Sequence, residues 1–231
     1  MSESVELSIK GPFAERLSRA LALNYSESVL LSRHWWRLAL KRMVDLAGSV
    51  FLALILAPVM GLIALAVRWD SRGPVLFVQK RVGRGGRIFR MFKFRTMVVD
   101  AERKTGPVWA RAGYDPRVTR LGRFLRQSHL DELPQIFNVI RGEMSLVGPR
   151  PERPHFVGQL AHLVAGYEGR LVVKPGLTGL AQIHYRYDQT TADVRKKLRF
   201  DLLYIKRMCL MLDARILAGT VWFVATSRAV E

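Results

Sequence analysis

The sequence is poor in cysteine and in acidic residues. Cys209 is the single cysteine among 231 residues, which excludes an internal disulfide and a cysteine-based zinc cluster. Asp and Glu together number 19 against 37 Lys and Arg, so the formal net charge is +18. Internal repeats are absent, and a hydrophobic content of 49% excludes a disordered chain. A cationic surplus of this size predicts an anionic partner: nucleic acid, an anionic membrane surface or a phosphorylated substrate.

A long uncharged run predicts contact with a membrane. Residues 46–67 carry no charge over 22 positions, and as a helix they would measure about 33 Å, enough for a bilayer core. A core helix of a water-soluble domain usually keeps one polar face, and this run has none. We therefore predict a membrane helix over residues 44–67.

The flanks of this run and its proline bear on how the helix enters the membrane. Basic residues prefer the cytoplasmic side, and they occur on both sides of the run. Pro58, near the middle, removes a backbone hydrogen bond and favours a kink. We predict a re-entrant helix, kinked at Pro58, that returns to the cytoplasmic face; a tilted single span is the alternative. Trp35 and Trp36 fit either interfacial anchors or packing against the soluble core. The basic flanks are Arg33, Arg37, Lys41, Arg42, Arg68 and Arg72.

The rest of the chain predicts a mainly helical fold of the α+β class with a small sheet. Residues 75–79 and 88–94 have the composition of short strands and are joined through a glycine-rich turn. Residues 118–141 are predicted to be helical. The amphipathic segment 200–224 fits a helix that lies flat in the membrane interface, with a plain core helix as the alternative.

Asp131 and Glu132 form an acidic pair in a basic chain, directly before an apolar helical pattern that Gly142 ends. Pro134 is best tolerated in a first helical turn, so we predict that the helix begins near Asp131 and that Asp131 is its N-cap or lies close to it. One interpretation is structural: Asp131 caps the helix, and the negative charge of Glu132 interacts favourably with the helix dipole. The other is catalytic, because an ionised Asp can attack phosphorus while a neighbouring Glu holds Mg²⁺ against phosphate oxygens. The two interpretations are compatible.

Phosphate chemistry also needs cations that neutralise the substrate. Prolines on both sides of Arg150 restrict its backbone, so its guanidinium can be aimed with little loss of entropy. Each cation is a weak signal alone, because Lys and Arg are abundant in this chain. The candidates are Lys93, Arg95, Arg126 and Arg150.

Several segments in order resemble a bacterial sugar transferase of the monotopic phosphoglycosyl transferase superfamily, over roughly residues 41–226. The resemblance implies transfer of a sugar-1-phosphate from a UDP-sugar to undecaprenyl phosphate through a covalent aspartyl-phosphosugar intermediate, with release of UMP. This would be the first membrane step of bacterial exopolysaccharide, capsule, O-antigen or glycoconjugate synthesis. The segments are KRMVDL (41–46), the run broken by Pro58, RWDSRGPVLFVQKRVG (68–83), FKFRTM (92–97), LDELPQIFNVIRGEMSLVGPRP (130–151) and PGLTGLAQ (175–182).

The resemblance also implies roles for single residues. Asp131 matches the nucleophile of the family and Glu132 the ligand of Mg²⁺. Asp201 matches an aspartate near the start of the C-terminal interfacial helices, with a structural role. Many members have Ser before the helix-breaking proline, and Ala57 stands there in this chain. The phosphate-binding positions fall on Lys93, Arg126 and Arg150, with Arg95 as a further candidate.

From the resemblance we expect an N-terminal extension over residues 1–40 and a transferase domain over 41–231, with its cytosolic catalytic part next to the re-entrant helix. The expected location is the cytoplasmic face of the bacterial inner membrane. Expected partners are a UDP-sugar, undecaprenyl phosphate and anionic lipids, without nucleic acid. The donor sugar and the oligomeric state stay open, with a homodimer as one option.

Two other functions compete with this expectation. A membrane-tethered nucleic-acid-binding protein would explain the charge of +18, but the cations are spread over the whole chain and no nucleic-acid-binding motif occurs. A catalytically inactive scaffold with a transferase fold would recruit partners, but the acidic pair, Lys93 and Arg150 are all intact.

Overall fold

The computed structural model describes residues 35–101, 115–184 and 191–226. These ranges are mainly helical and contain one long apolar helix, as the sequence predicts. They contain two small sheets, whereas the sequence predicts one. The N-terminal leader lies outside the described residues up to position 34. The helices are α1 (Trp35–Asp70), α2 (Arg120–Gln127), α3 (Ile136–Ile140), α4 (Pro154–Leu163), α5 (Leu180–His184), α6 (Thr191–Arg207) and α7 (Leu210–Thr226). The strands are β1 (Leu76–Val82), β2 (Ile88–Phe94), β3 (Ser145–Val147) and β4 (Gly176–Thr178).

Helix α1 contains the predicted membrane segment and is longer than predicted. It runs for 36 residues, and the helical conformation continues through Pro58. Hydropathy marks only the uncharged part, whereas the helix also includes the charged turns on both sides. Its most apolar window has a mean hydropathy of 2.8, and only 11% of that window is buried in the protein. Large apolar side chains such as Phe51, Leu54 and Leu62 are therefore exposed. The helix is long and apolar enough to enter a bilayer.

A buried polar network holds the N-terminal part of α1 against the rest of the protein. The Asp45 carboxylate accepts hydrogen bonds from Ser145 Oγ at 2.7 Å and from the Leu146 amide at 3.2 Å, both on β3. One helical turn earlier, Lys41 Nζ lies 2.7 Å from Asp213 Oδ2 on α7. The hydroxyl of Tyr204 on α6 donates to the same carboxylate at 2.8 Å. The charged end of α1 is thus part of the folded domain.

Strands β1 and β2 form an antiparallel hairpin. The register pairs Leu76 with Phe94 and Val82 with Ile88. The predicted bounds of β2 are confirmed, while β1 lies later than the predicted 75–79. A 3-10 turn, Arg84–Gly86, closes the hairpin, and Gly85 adopts a left-handed φ of 65° there. Strand β2 packs against the segment that carries the acidic pair.

The acidic pair lies in a 3-10 helix, Leu130–Gln135, which continues into α3. The helix begins near Asp131, as predicted, but Asp131 lies two residues after the cap position and not at it. His129 occupies the cap position with a left-handed φ of 57°, and no side chain caps this helix. Pro134 lies inside the 3-10 segment, and its missing N–H and ring geometry explain why the regular α-helix begins only at Ile136. The predicted stop is confirmed, because Gly142 follows α3 with φ 81°.

Strands β3 and β4 are parallel, pairing Ser145 with Gly176 and Val147 with Thr178. The two segments approach so closely that a β-carbon at Gly176 would collide with the backbone of Gly148. Around them lies a core cluster that includes Val139, Met144, Tyr204 and Ile216. This packing fixes the loop that follows β3, where Arg150 is located.

The C-terminal segment predicted over 200–224 is divided between two helices, α6 and α7, with a break at residues 208–209. Helix α7 is two-sided. Asp213 and Ile216 are buried, whereas Val221 and Trp222 are 70% and 73% exposed. This arrangement is compatible with a helix that packs on the core with one face and lies in a membrane interface with the other.

Candidate active site

Glu132 is held between two cations. Its Oε1 lies 2.7 Å from Lys93 Nζ and 2.6 Å from Arg150 Nη2, and Arg150 Nη1 donates to Oε2 at 3.2 Å. Lys93 projects from β2 and Arg150 from the loop after β3, so three separate segments meet at one carboxylate. Burial alone would raise the pKa of Glu132, but the charges of Arg150 and Lys93 outweigh it and hold the pKa well below its ordinary value. Glu132 is therefore ionised at any physiological pH.

Asp131 lies beside this cluster in a different environment. The residue is 7% exposed, and among the described residues its carboxylate accepts no hydrogen bond. Burial raises the pKa of Asp131; the charge of Lys93 opposes that shift, and the adjacent Glu132 adds to it. A carboxylate without hydrogen-bond partners is more basic and more available to an electrophile than its neighbour. The two acids are thus chemically distinct, which suits two different roles.

Arg126 completes the cationic surroundings of Asp131. It lies near the end of α2, and its Nε donates to Thr96 Oγ1 at 2.9 Å, which ties it to the residue two positions after β2. Burial lowers the pKa of Arg126, while the carboxylates of Asp131 and Asp115 oppose that shift. The guanidinium of Arg126 is therefore close enough to Asp131 for the two charges to interact.

Arg95 is placed elsewhere. Its guanidinium is 6% exposed and donates to Ser71, to the carbonyl oxygen at 2.6 Å and to Oγ at 2.9 Å. Strand β2 ends at Phe94, so the alternation that would put Arg95 on the same side as Lys93 does not reach it. The structure thus brings Lys93, Arg126 and Arg150 to the acidic pair and uses Arg95 at the end of α1.

Two residues that the sequence reasoning missed support the site. Asn138 is fully buried in α3 and donates to the Arg90 carbonyl at 2.7 Å and to Glu143 at 2.7 Å, while it accepts from the Phe92 amide at 3.0 Å. It fastens α3 to the strand that carries Lys93. A polar residue within the apolar pattern of 133–140 is the signal that could have revealed it.

Arg170 is the second such residue. Its side chain pairs with Asp201 at 2.8 Å and donates to the carbonyl oxygen of Arg150 at 2.8 Å. The pairing agrees with a structural role for Asp201. Nothing in the local sequence around Arg170 indicates this contact, because its partners are distant in the chain. Next to it, Arg150 and Arg170 line a small open cleft of about 40 Å³, together with Tyr167 and Gln182.

The donor set is compatible with one magnesium ion. In the described part of the chain, no group of three His, Cys, Asp or Glu side chains is arranged to hold a metal. Mg²⁺, however, is commonly bound by one or two carboxylates with substrate phosphates and water as the other ligands. A carboxylate has about four lone-pair positions, and Lys93 and Arg150 use three of those on Glu132. Glu132 can thus offer one oxygen to such an ion.

Comparisons with known proteins agree with the resemblance. The sequence profile of a family described as bacterial sugar transferase matches residues 36–227. An undecaprenyl-phosphate glucose phosphotransferase of Komagataeibacter xylinus is 46% identical over 196 residues, covering 80% of this chain and 36% of that protein. A UDP-N-acetylgalactosamine-undecaprenyl-phosphate N-acetylgalactosaminephosphotransferase of Aeromonas hydrophila is 41% identical, covering 81% of this chain and 44% of that protein.

Relatives of similar length also exist. The exopolysaccharide production protein PSS of Rhizobium leguminosarum bv. phaseoli is 40% identical over 192 residues, covering 80% of this chain and 94% of that protein. The chain therefore spans less than half of the two larger relatives and nearly all of the smaller one. In each case the similarity covers about four fifths of the chain and leaves the remainder unmatched.

Proposed function

The chain belongs to the bacterial sugar transferase family, and on that premise we propose that it transfers a sugar-1-phosphate from a UDP-sugar to undecaprenyl phosphate. The observation that carries the proposal is the pair of unlike carboxylates. Asp131 is buried and has no hydrogen-bond partner among the described residues, whereas Glu132 is held by Lys93 and Arg150. Phosphoryl transfer needs a nucleophile and fixed positive charge around the phosphates, and this arrangement supplies both.

In the first step, the Asp131 carboxylate attacks the phosphorus that carries the sugar. A bond forms between Asp131 and phosphorus, the bond from phosphorus to the bridging oxygen breaks, and UMP leaves with that oxygen. Lys93, Arg126 and Arg150 stabilise the charge on the phosphoryl oxygens and on the leaving phosphate. The product is an aspartyl-phosphosugar on the enzyme.

In the second step, a phosphate oxygen of undecaprenyl phosphate attacks the same phosphorus. The bond to Asp131 breaks, the carboxylate is regenerated, and a polyprenyl diphosphate sugar is released. Two sequential steps suit these substrates, because one is water-soluble and the other lipid-bound, and they need not occupy the site together.

Glu132 is the residue that would hold Mg²⁺, with substrate phosphates and water as its other ligands. When bound, the ion would supply further neutralisation of the diphosphate. The Lys93 and Arg150 contacts keep Glu132 ionised and fixed in the absence of substrate.

We place the active site at the cytoplasmic face of the membrane, with α1 re-entrant and returning to the same side. Supporting observations are the apolar surface of α1, its basic flanks and the network that joins Lys41 and Asp45 to the folded domain. The catalytic segment and the membrane helix then meet at the depth where a lipid-linked phosphate lies.

The direct test is the mass of the enzyme itself. We expect incubation with a UDP-sugar and Mg²⁺, without lipid acceptor, to add one sugar-phosphate to the peptide that contains Asp131 and to release one equivalent of UMP. Asp131→Asn should abolish both signals, and added undecaprenyl phosphate should remove the adduct from the unchanged enzyme. Asp70→Asn, the same change at an exposed position, is the control. Normal turnover in Asp131→Asn would refute the assignment of the nucleophile.

A further inference from the structure

Two cationic side chains converge over the turn that ends α3. Gly142 adopts a left-handed conformation, and the position that a β-carbon would take there lies 3.4 Å from Arg42 Nη2 and 3.6 Å from Lys174 Nζ. The guanidinium and the ammonium therefore face one small region of space. This region lies at the C-terminal end of α3, whereas the catalytic pair precedes its N-terminal end.

The guanidinium of Arg42 is fixed in place. Its Nη1 donates to the Val139 carbonyl at 2.7 Å and its Nη2 to the Ile140 carbonyl at 2.9 Å. A guanidinium carries five N–H groups, so three of them stay available after these two bonds. Such a fixed, partly used guanidinium can bind an anion with little further loss of side-chain entropy.

Lys174 has no acidic partner in the part of the chain that the structure describes. Within the described ranges its ammonium makes neither a hydrogen bond nor an ion pair. Burial lowers the pKa of Lys174, and the nearby charges of Arg42 and Arg84 lower it further, with Asp45 as the opposing acid. Asp45 is already engaged by Ser145 Oγ and the Leu146 amide. The positive charges of Lys174, Arg42 and Arg84 therefore repel one another with little compensation, and a bound anion would reduce this repulsion.

We propose that Arg42, Arg84 and Lys174 form a binding site for a phosphate group. Arg42 and Lys174 provide the converging donors, and Arg84, at the exposed tip of the β1–β2 hairpin, adds a third positive charge. This site is separate from the proposed substrate-phosphate site at Lys93 and Arg150, and the proposal does not depend on the proposed reaction.

The position of Arg42 bears on the source of the phosphate. It lies four residues before the uncharged run that begins at position 46, so its guanidinium is located where the head groups of a bilayer would be. Lipid head-group phosphate and free phosphate share the same chemistry, and experiment can separate them.

The acylation rate of Lys174 tests the site. The purified chain is kept in a maltoside detergent without phosphate and treated with an N-hydroxysuccinimide ester, and modification is measured by peptide mass spectrometry. A charge-assisted hydrogen bond to phosphate lowers the neutral fraction of the amine about tenfold, so acylation of Lys174 should slow by about that factor. The exposed Lys196 is the internal control.

Adding phosphatidylglycerol or inorganic phosphate to separate samples distinguishes a lipid head group from free phosphate as the ligand. Protection by phosphatidylglycerol and not by inorganic phosphate at equal concentration would identify a lipid site. Protection by both would identify a site for phosphate in general. Protection by neither, or equal slowing at Lys174 and Lys196, would overturn the proposal.

Variants provide a second readout. Lys174→Gln and Arg84→Gln remove charge without removing a hydrogen bond seen in the described residues, so the fold should persist. Native mass spectrometry should show fewer retained phosphatidylglycerol molecules for both than for Lys196→Gln, which makes the same charge change elsewhere. Equal retention in all three variants would also overturn the proposal.

Discussion

Arg170 donates a hydrogen bond from Nη2 to the carbonyl oxygen of Arg150 at 2.8 Å, and so holds the loop that aims the Arg150 guanidinium at Glu132. The same Nη2 lies 2.8 Å from the Asp201 carboxylate, and Nη1 donates to the Tyr167 hydroxyl at 2.8 Å. A carboxylate on α6 is thereby connected through one arginine to the catalytic cluster. Arg170 and Asp201 are positioning residues, because neither touches the acidic pair.

Asp201→Asn should lower both stability and turnover. The change keeps the shape of the side chain but leaves the buried Arg170 guanidinium without its charge partner, which typically costs about 3 kcal/mol or more. We expect a fall of several degrees in the thermal midpoint and a reduced kcat with a smaller change in KM for the UDP-sugar. Asp70→Asn, at an exposed position, should change neither. A loss of stability with unchanged kcat would show that Asp201 has no positioning role.

Asn138→Leu should be among the most destabilising single changes at this site. The substitution keeps a similar volume but leaves the Phe92 amide, the Arg90 carbonyl and the Glu143 carboxylate without a partner. Each buried unsatisfied group costs about 1–3 kcal/mol, so the total should be about 3 kcal/mol or more. Thermal unfolding in detergent measures this, with the exposed Gln159→Leu as control. A thermal midpoint unchanged from the parent would contradict the role assigned to Asn138.

The features that the sequence predicted are those with local causes. The bounds of β2, the stop at Gly142 and the uncharged run depend on alternation, a left-handed turn and hydropathy. Phosphate chemistry and the family resemblance named Lys93, Arg126 and Arg150 as candidates, and the structure places all three near the acidic pair.

The features that were missed have non-local causes. Arg170 and Asn138 act through partners up to 48 positions away in sequence, and single-sequence periodicity carries no information on such contacts.

Activity should decrease as the pH is lowered, and the midpoint of this acidic limb should lie above the ordinary pKa range of an aspartate. Burial raises the pKa of Asp131, and the nucleophile must be ionised to attack. Glu132 cannot produce this limb, because its pKa is held well below the ordinary value. A profile of kcat/KM against pH measures it. Arg126→Gln removes one cation that favours the ionised form and should move the limb to higher pH. A limb that stays in place would exclude Asp131 as its origin.

Asp131→Asn should stabilise the fold at neutral pH while it abolishes turnover. The pKa of Asp131 is raised in the folded state, so its ionisation opposes folding: the stability present below the ordinary pKa is lost as pH rises through the folded pKa. A neutral isostere avoids this cost. We expect a higher thermal midpoint for the variant at pH 7 and a smaller difference at pH 4. A lower midpoint at pH 7 would indicate that the carboxylate is favourably solvated in the folded enzyme.

Both ends of α1 should be accessible from the cytoplasmic side alone. The basic flanks favour that side, and Lys41 and Asp45 are tied to the same domain that packs around the end of the helix at Ser71. In a Cys209→Ala background, which removes the exposed native thiol, Arg37→Cys and Arg72→Cys place one reporter at each end. An impermeant maleimide should label both in inverted membrane vesicles and neither in intact spheroplasts. Labelling of either position from the outer side would establish a single span and would separate the catalytic segment from one end of its membrane helix.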